Sequence, residues 1–324
     1  MINQTENSGP FFIVGSGRSG STLLRMILCA HTKITIPPET YFITPLVERL
    51  PINQKLDKKQ NALAVEIITG HYRWPDMGMS REEFVACIPK DKPLYLKDII
   101  NVVYDYHLAR DKKQIWGDKT PAYIAIVPQL LDLYADARVI HLIRDGRDVT
   151  RSFQATGWYG PWLHENTREW KAAIATGMDL KNELGGREIH EVKYEDLVLD
   201  TEGTVKSLCD YLSIAYESDM LDWRDAVDGK IPEREAHIHS KITRKPGSGD
   251  VYRWKREMSK REVLVVESFM GDELRSAGYS LHYSSTLWVP VFHACRAWYA
   301  TIFPVYAFTL RLFRYAGRRL GITH

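Results

Sequence analysis

The sequence predicts an α/β fold in three layers: a central, mainly parallel sheet flanked by helices on both faces, followed by a helical tail. Three observations predict it. Two short apolar runs, residues 11–14 and Arg138–Ile143, read as buried strands. Each leads at once into a glycine-bearing turn and a stretch of helical spacing. A third strand and helix, residues 188–193 and Thr201–Leu212, repeat the alternation.

The first strand feeds the helix Ser21–Ala30, which puts Leu23, Leu24, Ile27 and Leu28 on one side. Residues 58–72 and 95–110 also read as helices. Ser80 with Glu83 forms a capping-box pattern that opens another. Pro121 is expected to start a helix through Tyr134. The strand Arg138–Ile143 is followed by a helix from near Gly146. Ser259 with Glu262 caps a helix reaching Ala277. The alternation ends near Tyr283, which predicts one α/β domain over residues 1–283 and a separate tail over 284–324. No internal repeat or low-complexity tract interrupts it.

Bulk properties narrow the function. The 324 residues are 44% hydrophobic and 26% charged, an ordinary globular composition. A net charge of +2 gives no electrostatic case for nucleic acid. Cys29, Cys87, Cys209 and Cys295 lie far apart, without metal-ligand spacing, so free thiols and no structural metal are expected. The first ten residues lack a basic region followed by an apolar one, so no secretory leader is expected there. A reducing, cytoplasmic setting fits both readings.

Gly15-Ser-Gly-Arg-Ser-Gly-Ser-Thr22 has the glycine spacing of a nucleotide-phosphate loop of the Walker A kind, without its lysine. Ser21 stands where the lysine would be, and a cation, Arg18, appears inside the loop instead. The glycines still allow a tight turn, and the helix N-terminus still presents N–H groups to an anion. The equipment for a metal-bound triphosphate is missing. The pattern therefore points to a nucleotide with one 5′-phosphate carrying something other than another phosphate. The second segment, Ile143-Arg-Asp-Gly-Arg-Asp-Val-Thr-Arg-Ser152, follows the second strand. Arg144 at the strand end and Ser152 two helical turns on offer a guanidinium and a hydroxyl to a phosphate. Without such a ligand the segment would read as an Asp-Gly turn with solvated charges.

At these residues the chain resembles the sulfotransferases that use 3′-phosphoadenosine 5′-phosphosulfate (PAPS), a P-loop-like family. Arg18-Ser-Gly-Ser-Thr-Leu23 is similar to their 5′-phosphosulfate loop, most closely to the Pro-Arg-Ser-Gly-Thr-Thr form of the tyrosylprotein and bacterial branch. The resemblance implies PAPS as donor, 3′,5′-bisphosphoadenosine (PAP) as product and no metal. It implies donor contacts from Gly17, Arg18, Ser19, Gly20, Ser21 and Thr22. Arg144 and Ser152 match the 3′-phosphate motif, and Tyr194 matches a position that contacts adenine. Arg244 and Lys245 match a late basic stretch that closes over the 3′-phosphate, although Pro246 here separates the lysine from Gly247.

Sulfuryl transfer is an in-line displacement that needs a base for the acceptor hydroxyl and cations around the transferred group. Glu39, after Pro37-Pro38, lies on stiff, extended chain and resembles the glutamate base of the tyrosylprotein branch. Lys119, in Gly117-Asp-Lys-Thr-Pro121, resembles a lysine that stabilises the transition state and is expected on a loop. Ser240 resembles a serine that assists the leaving phosphate, and Arg18 is the expected catalytic cation. His71 and His107 are the alternative bases, neither in a matching motif, and the helical spacing of His107 suits a structural role.

The tail is apolar but carries His293, Arg296 and Arg311, and Pro304 is expected to break any single helix, so it does not read as a membrane span. Beyond Pro304, Phe308, Leu312 and Tyr315 share one face while Arg311, Arg314 and Arg318 share another. Such a helix suits peripheral contact with a membrane, docking on the catalytic domain or contact with a second copy. The acceptor stays open between a lipid, glycolipid or other small-molecule hydroxyl and a peptide tyrosine. A P-loop kinase and a non-catalytic, membrane-recruited binding module are the competing functions; the missing Walker lysine disfavours the kinase.

Overall fold

The computed structural model describes residues 9–90, 92–160, 162–184, 189–226 and 246–319, of which 225–226 and 306–319 are described by backbone alone. The chain divides into two compact units. The first comprises residues up to Arg144 together with Ala172–Arg253, and the second Asp145–Lys171 with the chain from Trp254 onward.

The first unit holds a five-stranded, all-parallel sheet. Its strands are β1 (Phe11–Gly15), β2 (Ile34–Thr35), β3 (Ile115–Lys119), β4 (Arg138–Ile143) and β5 (Ile189–Lys193), in the order β2-β3-β1-β4-β5. Ile13 of β1 lies opposite Lys119 of β3 and Ile140 of β4. Alternate residues of β1 enter two separate cores, Phe12 and Val14 one, Phe11 and Ile13 the other, as a sheet covered on both faces requires. The first core is closed by α3 (Lys58–Thr69), α5 (Leu96–Asp111), α6 (Val127–Leu133) and part of α8 (Arg168–Leu184). The second is closed by α1 (Ser21–Ala30), α9 (Tyr194–Leu199) and α10 (Thr201–Leu212). The three-layer α/β expectation is met. The short α2 (Ile43–Arg49) follows β2, and α4 (Arg81–Cys87) opens on the expected capping box: Glu83 N–H donates to Ser80 Oγ at 3.1 Å and Ser80 N–H to Glu83 Oε2 at 2.8 Å.

The second unit contains α7 (Gly146–Thr156), α11 (Trp254–Glu257), α12 (Lys260–Ser276) and α13 (Val289–Arg319). Its centre is an ion cluster, not a solvated turn. Arg147 donates to Asp145 at 2.9 and 2.7 Å and to Glu267 at 2.7 Å, all three buried, and its guanidinium lies 3.7 Å from the Trp254 ring centre. Burial lowers the Arg147 pKa, but Asp145 and Glu267 outweigh it and leave the net shift upward. A Cβ on Gly146 would sit 2.7 Å from Met270 Sδ and 2.8 Å from the Trp170 ring, so this glycine is required by packing.

Three sequence expectations need correction. Residues 121–126 form a 3-10 segment, and the α-helix starts only at Val127; Pro121 and Pro128 each remove an N–H donor and divide the stretch. Lys119 is not on a loop but ends strand β3, which lacks a continuous apolar run and so escapes a hydrophobicity reading. Pro304 does not break the tail: α13 runs through it, since a proline removes one hydrogen bond and neighbouring turns continue.

Candidate active site

Every strand of the first unit points its carboxyl end the same way, and the sequence-predicted residues of that unit gather at those ends. The loop after β1 turns on Gly15 at φ +139°, Arg18 at φ 62° and Gly20 at φ 97°. Ser19 Oγ donates to the Ser16 carbonyl at 2.7 Å and tightens it. A Cβ on Gly20 would lie 2.3 Å from Tyr194 Cδ2, so only glycine lets the loop pass beneath that ring. No side chain caps the N-terminus of α1 and its first turn carries no acid. Ser21 and Thr22 are buried in that turn. A helix start of this kind suits a phosphate.

Arg144 follows β4 directly. Its guanidinium donates to the carbonyl of Arg18 at 3.3 Å and to that of Asp250 at 3.2 Å, and stands 4.3 Å from the Tyr194 ring centre. Arg18, Gly20, Arg144 and Tyr194 are thus joined in one cluster. Tyr194 opens α9 and is buried. Ser152 lies on α7, in the second unit. Ser240, Arg244 and Lys245 lie outside the described residues.

A second cluster lies at the ends of β2 and β3. Lys119 Nζ donates to Glu39 Oε1, and the lysine is only 2% exposed. Arg73 grips the same residue from the other side: Nη2 donates to Glu39 Oε2 at 3.2 Å and Nε to the Glu39 carbonyl at 3.3 Å. Asp76 lies 3.4 Å from Arg73 Nη1. Sequence reading missed Arg73, which sits in no motif and reaches Glu39 across 34 positions. Tyr41 adopts φ 55°, and its hydroxyl, hydrogen-bonded to Glu39, is held well above its usual pKa by burial and by the Glu39 charge.

Beneath Glu39 and Lys119 their chain neighbours are tied together. Thr40 Oγ1 donates to Asp118 Oδ2 at 2.8 Å, which also receives the Tyr104 hydroxyl at 2.8 Å. Because the Thr40 proton is used on Asp118, the Tyr123 hydroxyl is the donor in its 2.6 Å contact with Thr40. Tyr123 in turn accepts from Ile43 N–H at 3.0 Å, and Thr40 N–H donates to Thr120 Oγ1 at 3.1 Å. Burial raises the Asp118 pKa, against the pull of these hydrogen bonds. His107 is buried on α5, and burial pushes its pKa down to about 3, so it is neutral at physiological pH. His71 stacks near Tyr41, with ring centres 6.5 Å apart.

Comparisons with known proteins point to one family. The model of the sulfotransferase family matches residues 10–218. Protein-tyrosine sulfotransferase A of Caenorhabditis elegans is 24% identical over 84% of this chain and 68% of its own length. The omega-hydroxy-beta-dihydromenaquinone-9 sulfotransferase of Mycobacterium tuberculosis is 23% identical over 63% of each. Among solved structures, the sulfotransferase domain of the Synechococcus PCC 7002 olefin synthase superposes with a TM-score of 0.61 over 85% of this chain and 96% of that one, at 21% identity. That last likeness concerns the fold.

Proposed function

We propose that this chain, which belongs to the sulfotransferase family, takes a sulfuryl group from PAPS and delivers it to an acceptor hydroxyl whose proton Glu39 removes. The observation that carries the reading is the Glu39–Lys119 pair at the strand ends, one strand over from the loop that follows β1. A base and a buried cation lie side by side where the fold presents its ligands.

The loop residues Gly17, Ser19, Gly20, Ser21 and Thr22 would receive the 5′-phosphosulfate through backbone N–H and hydroxyl groups, with Arg18 as the nearest loop cation. Arg144 would take the 3′-phosphate, and Tyr194 the adenine. During transfer the acceptor oxygen bonds to sulfur as the sulfur–oxygen bond to the 5′-phosphate breaks. The acceptor proton passes to Glu39 Oε1, which Lys119 occupies before reaction. Lys119 must therefore turn from Glu39 toward the oxygens that gain charge, which couples release of the base to stabilisation of the transition state. Arg73 keeps Glu39 Oε2 in place while this happens. The two relatives are named for protein tyrosine and for an omega-hydroxy-menaquinone, acceptors that share a hydroxyl and differ in everything else.

Calorimetry and a transfer assay test the reading together. PAP should bind without magnesium at least tenfold more tightly than ATP, and labelled sulfate should pass from PAPS to a hydroxyl acceptor in lipid or peptide extracts. Tight magnesium-ATP binding with none of PAP would replace the proposal with a kinase.

A further inference from the structure

The helix α13 presents two unlike faces. One is anchored within the second unit. Phe292 and Phe303 are buried, Phe303 meets Trp162 edge-on at 4.8 Å, and Tyr299 lies 4.4 Å from His164 and 5.6 Å from Phe269. The other carries Val291, Trp298, Ile302 and Val305, which fall on one side at helical spacing and are 38%, 40%, 56% and 64% exposed. Leu287, in the turn just before the helix, is 82% exposed. Large apolar side chains aligned in this way are costly in water unless something covers them.

The sequence names the cover. From Ser284 to the end, the chain has Arg296, Arg311, Arg314, Arg318 and Arg319, no lysine and no acidic residue. A second copy of this helix would bring a second set of arginines and no acidic residue to the contact. An anionic surface would neutralise them. Beyond Pro304, Leu312, Phe313 and Ala316 continue the helical phase of the exposed apolar row, while Arg311, Arg314 and Arg318 fall on the opposite side. Tryptophan, tyrosine and phenylalanine recur along the segment, the aromatic set that favours the boundary between headgroups and acyl chains. Among the described residues no helix is long and apolar enough to cross a membrane. We infer that α13 lies in the plane of an anionic lipid bilayer, with the row through Trp298 and Ile302 sunk among the acyl chains and the arginines at the headgroups.

Vesicle co-sedimentation of the full chain tests this. At about 0.1 M salt, phosphatidylglycerol-containing vesicles should hold the protein at least tenfold more tightly than pure phosphatidylcholine, and the preference should shrink as salt rises. Trp298→Ser combined with Ile302→Asp should lower binding to both vesicle types by tenfold or more. Arg314→Glu combined with Arg318→Glu should abolish only the anionic preference. An unchanged circular-dichroism melt shows that each variant folds. Absence of binding by the wild-type chain, or equal binding to both lipids, overturns the inference. So does a dimer in solution that the Trp298→Ser, Ile302→Asp variant dissociates, since the row is then a contact between copies.

Discussion

The loop after β1 and the loop after β2 reach the same end of the sheet by different means. The first takes its path from its own residues: Ser19 bonds Ser16, and three positive-φ residues turn the chain between Gly15 and Gly20, with Arg144 reaching the Arg18 carbonyl from the next strand. The second is held from far away. Glu39 is fixed by Arg73 and Lys119, and Thr40 by Asp118 and Tyr123, none of them nearer than 34 positions. A locally built loop can serve one constant ligand. A loop held by distant elements can be re-aimed when those elements change, which suits a variable acceptor.

The sharpest way to break this comparison is to separate donor binding from transfer. Glu39→Gln should lower kcat by about 10³-fold, within the range for loss of a general base, and leave PAP affinity within twofold. Lys119→Ala should have a similar effect, and the double variant should be little worse than either, because the pair acts as a unit. An equal fall in PAP binding for Glu39→Gln would put the glutamate on the donor side and dissolve the distinction.

Arg18 gives the reciprocal test. A non-glycine residue at φ 62° costs roughly 1–2 kcal/mol, so glycine would relax the loop backbone. Arg18→Gly should therefore cut transfer by about 10²-fold, from the lost cation, while the melting temperature does not fall. A clear drop in melting temperature would show that the arginine is kept for structure.

These differences also explain what was legible in the sequence. The phosphate loop is contiguous, so its glycine spacing, its missing lysine and its cation could be read directly. Glu39 and Lys119 were reachable only through resemblance, because nothing local in Pro38-Glu-Thr-Tyr41 announces a base. Strand β3 hid because Gly117, Asp118 and Lys119 cut its apolar run down to Ile115 and Trp116. Gly117 is there because a Cβ would sit 2.4 Å from the Phe11 ring, a constraint visible only once β1 and β3 are paired. Arg73 was illegible for the same reason. Without a ligand, Asp145, Arg147 and Asp148 would read as solvated charges, yet they are buried in the second unit, since sequence spacing does not disclose that Glu267 and Trp254 close over them.

The buried network under Glu39 should matter more for stability than any side chain of the β1 loop. Thr40→Val keeps the shape and removes the donor to Asp118 and the acceptor for Tyr123. Leaving those partners short should cost about 2 kcal/mol in chemical denaturation. If Thr40→Val also lowers kcat while PAP binding holds, Thr40 positions its neighbour Glu39. If only stability changes, the network is structural alone.

Two buried histidines extend the comparison to pH. His141 lies on β4 beside the start of the first loop, where a Cβ on Gly15 would be 3.3 Å from its ring, and burial pushes its pKa down to about 4 despite nearby Glu191. His107 sits on α5, which also supplies Tyr104 to the network under Glu39, and is pushed down to about 3. Neither ring has a hydrogen-bond partner among the described residues. In the unfolded chain both take up a proton near pH 6.5, whereas in the folded chain they stay neutral until far lower pH. Stability is therefore complete above about 6.5 and falls as the pH drops toward 4, because the unfolded state binds the extra protons. Each histidine should account for about 1 kcal/mol of loss between pH 6.5 and 5.5. His141→Gln and His107→Gln should each remove their share of that slope, whatever they do to stability at pH 8. A variant that leaves the slope unchanged identifies a histidine already protonated in the folded protein.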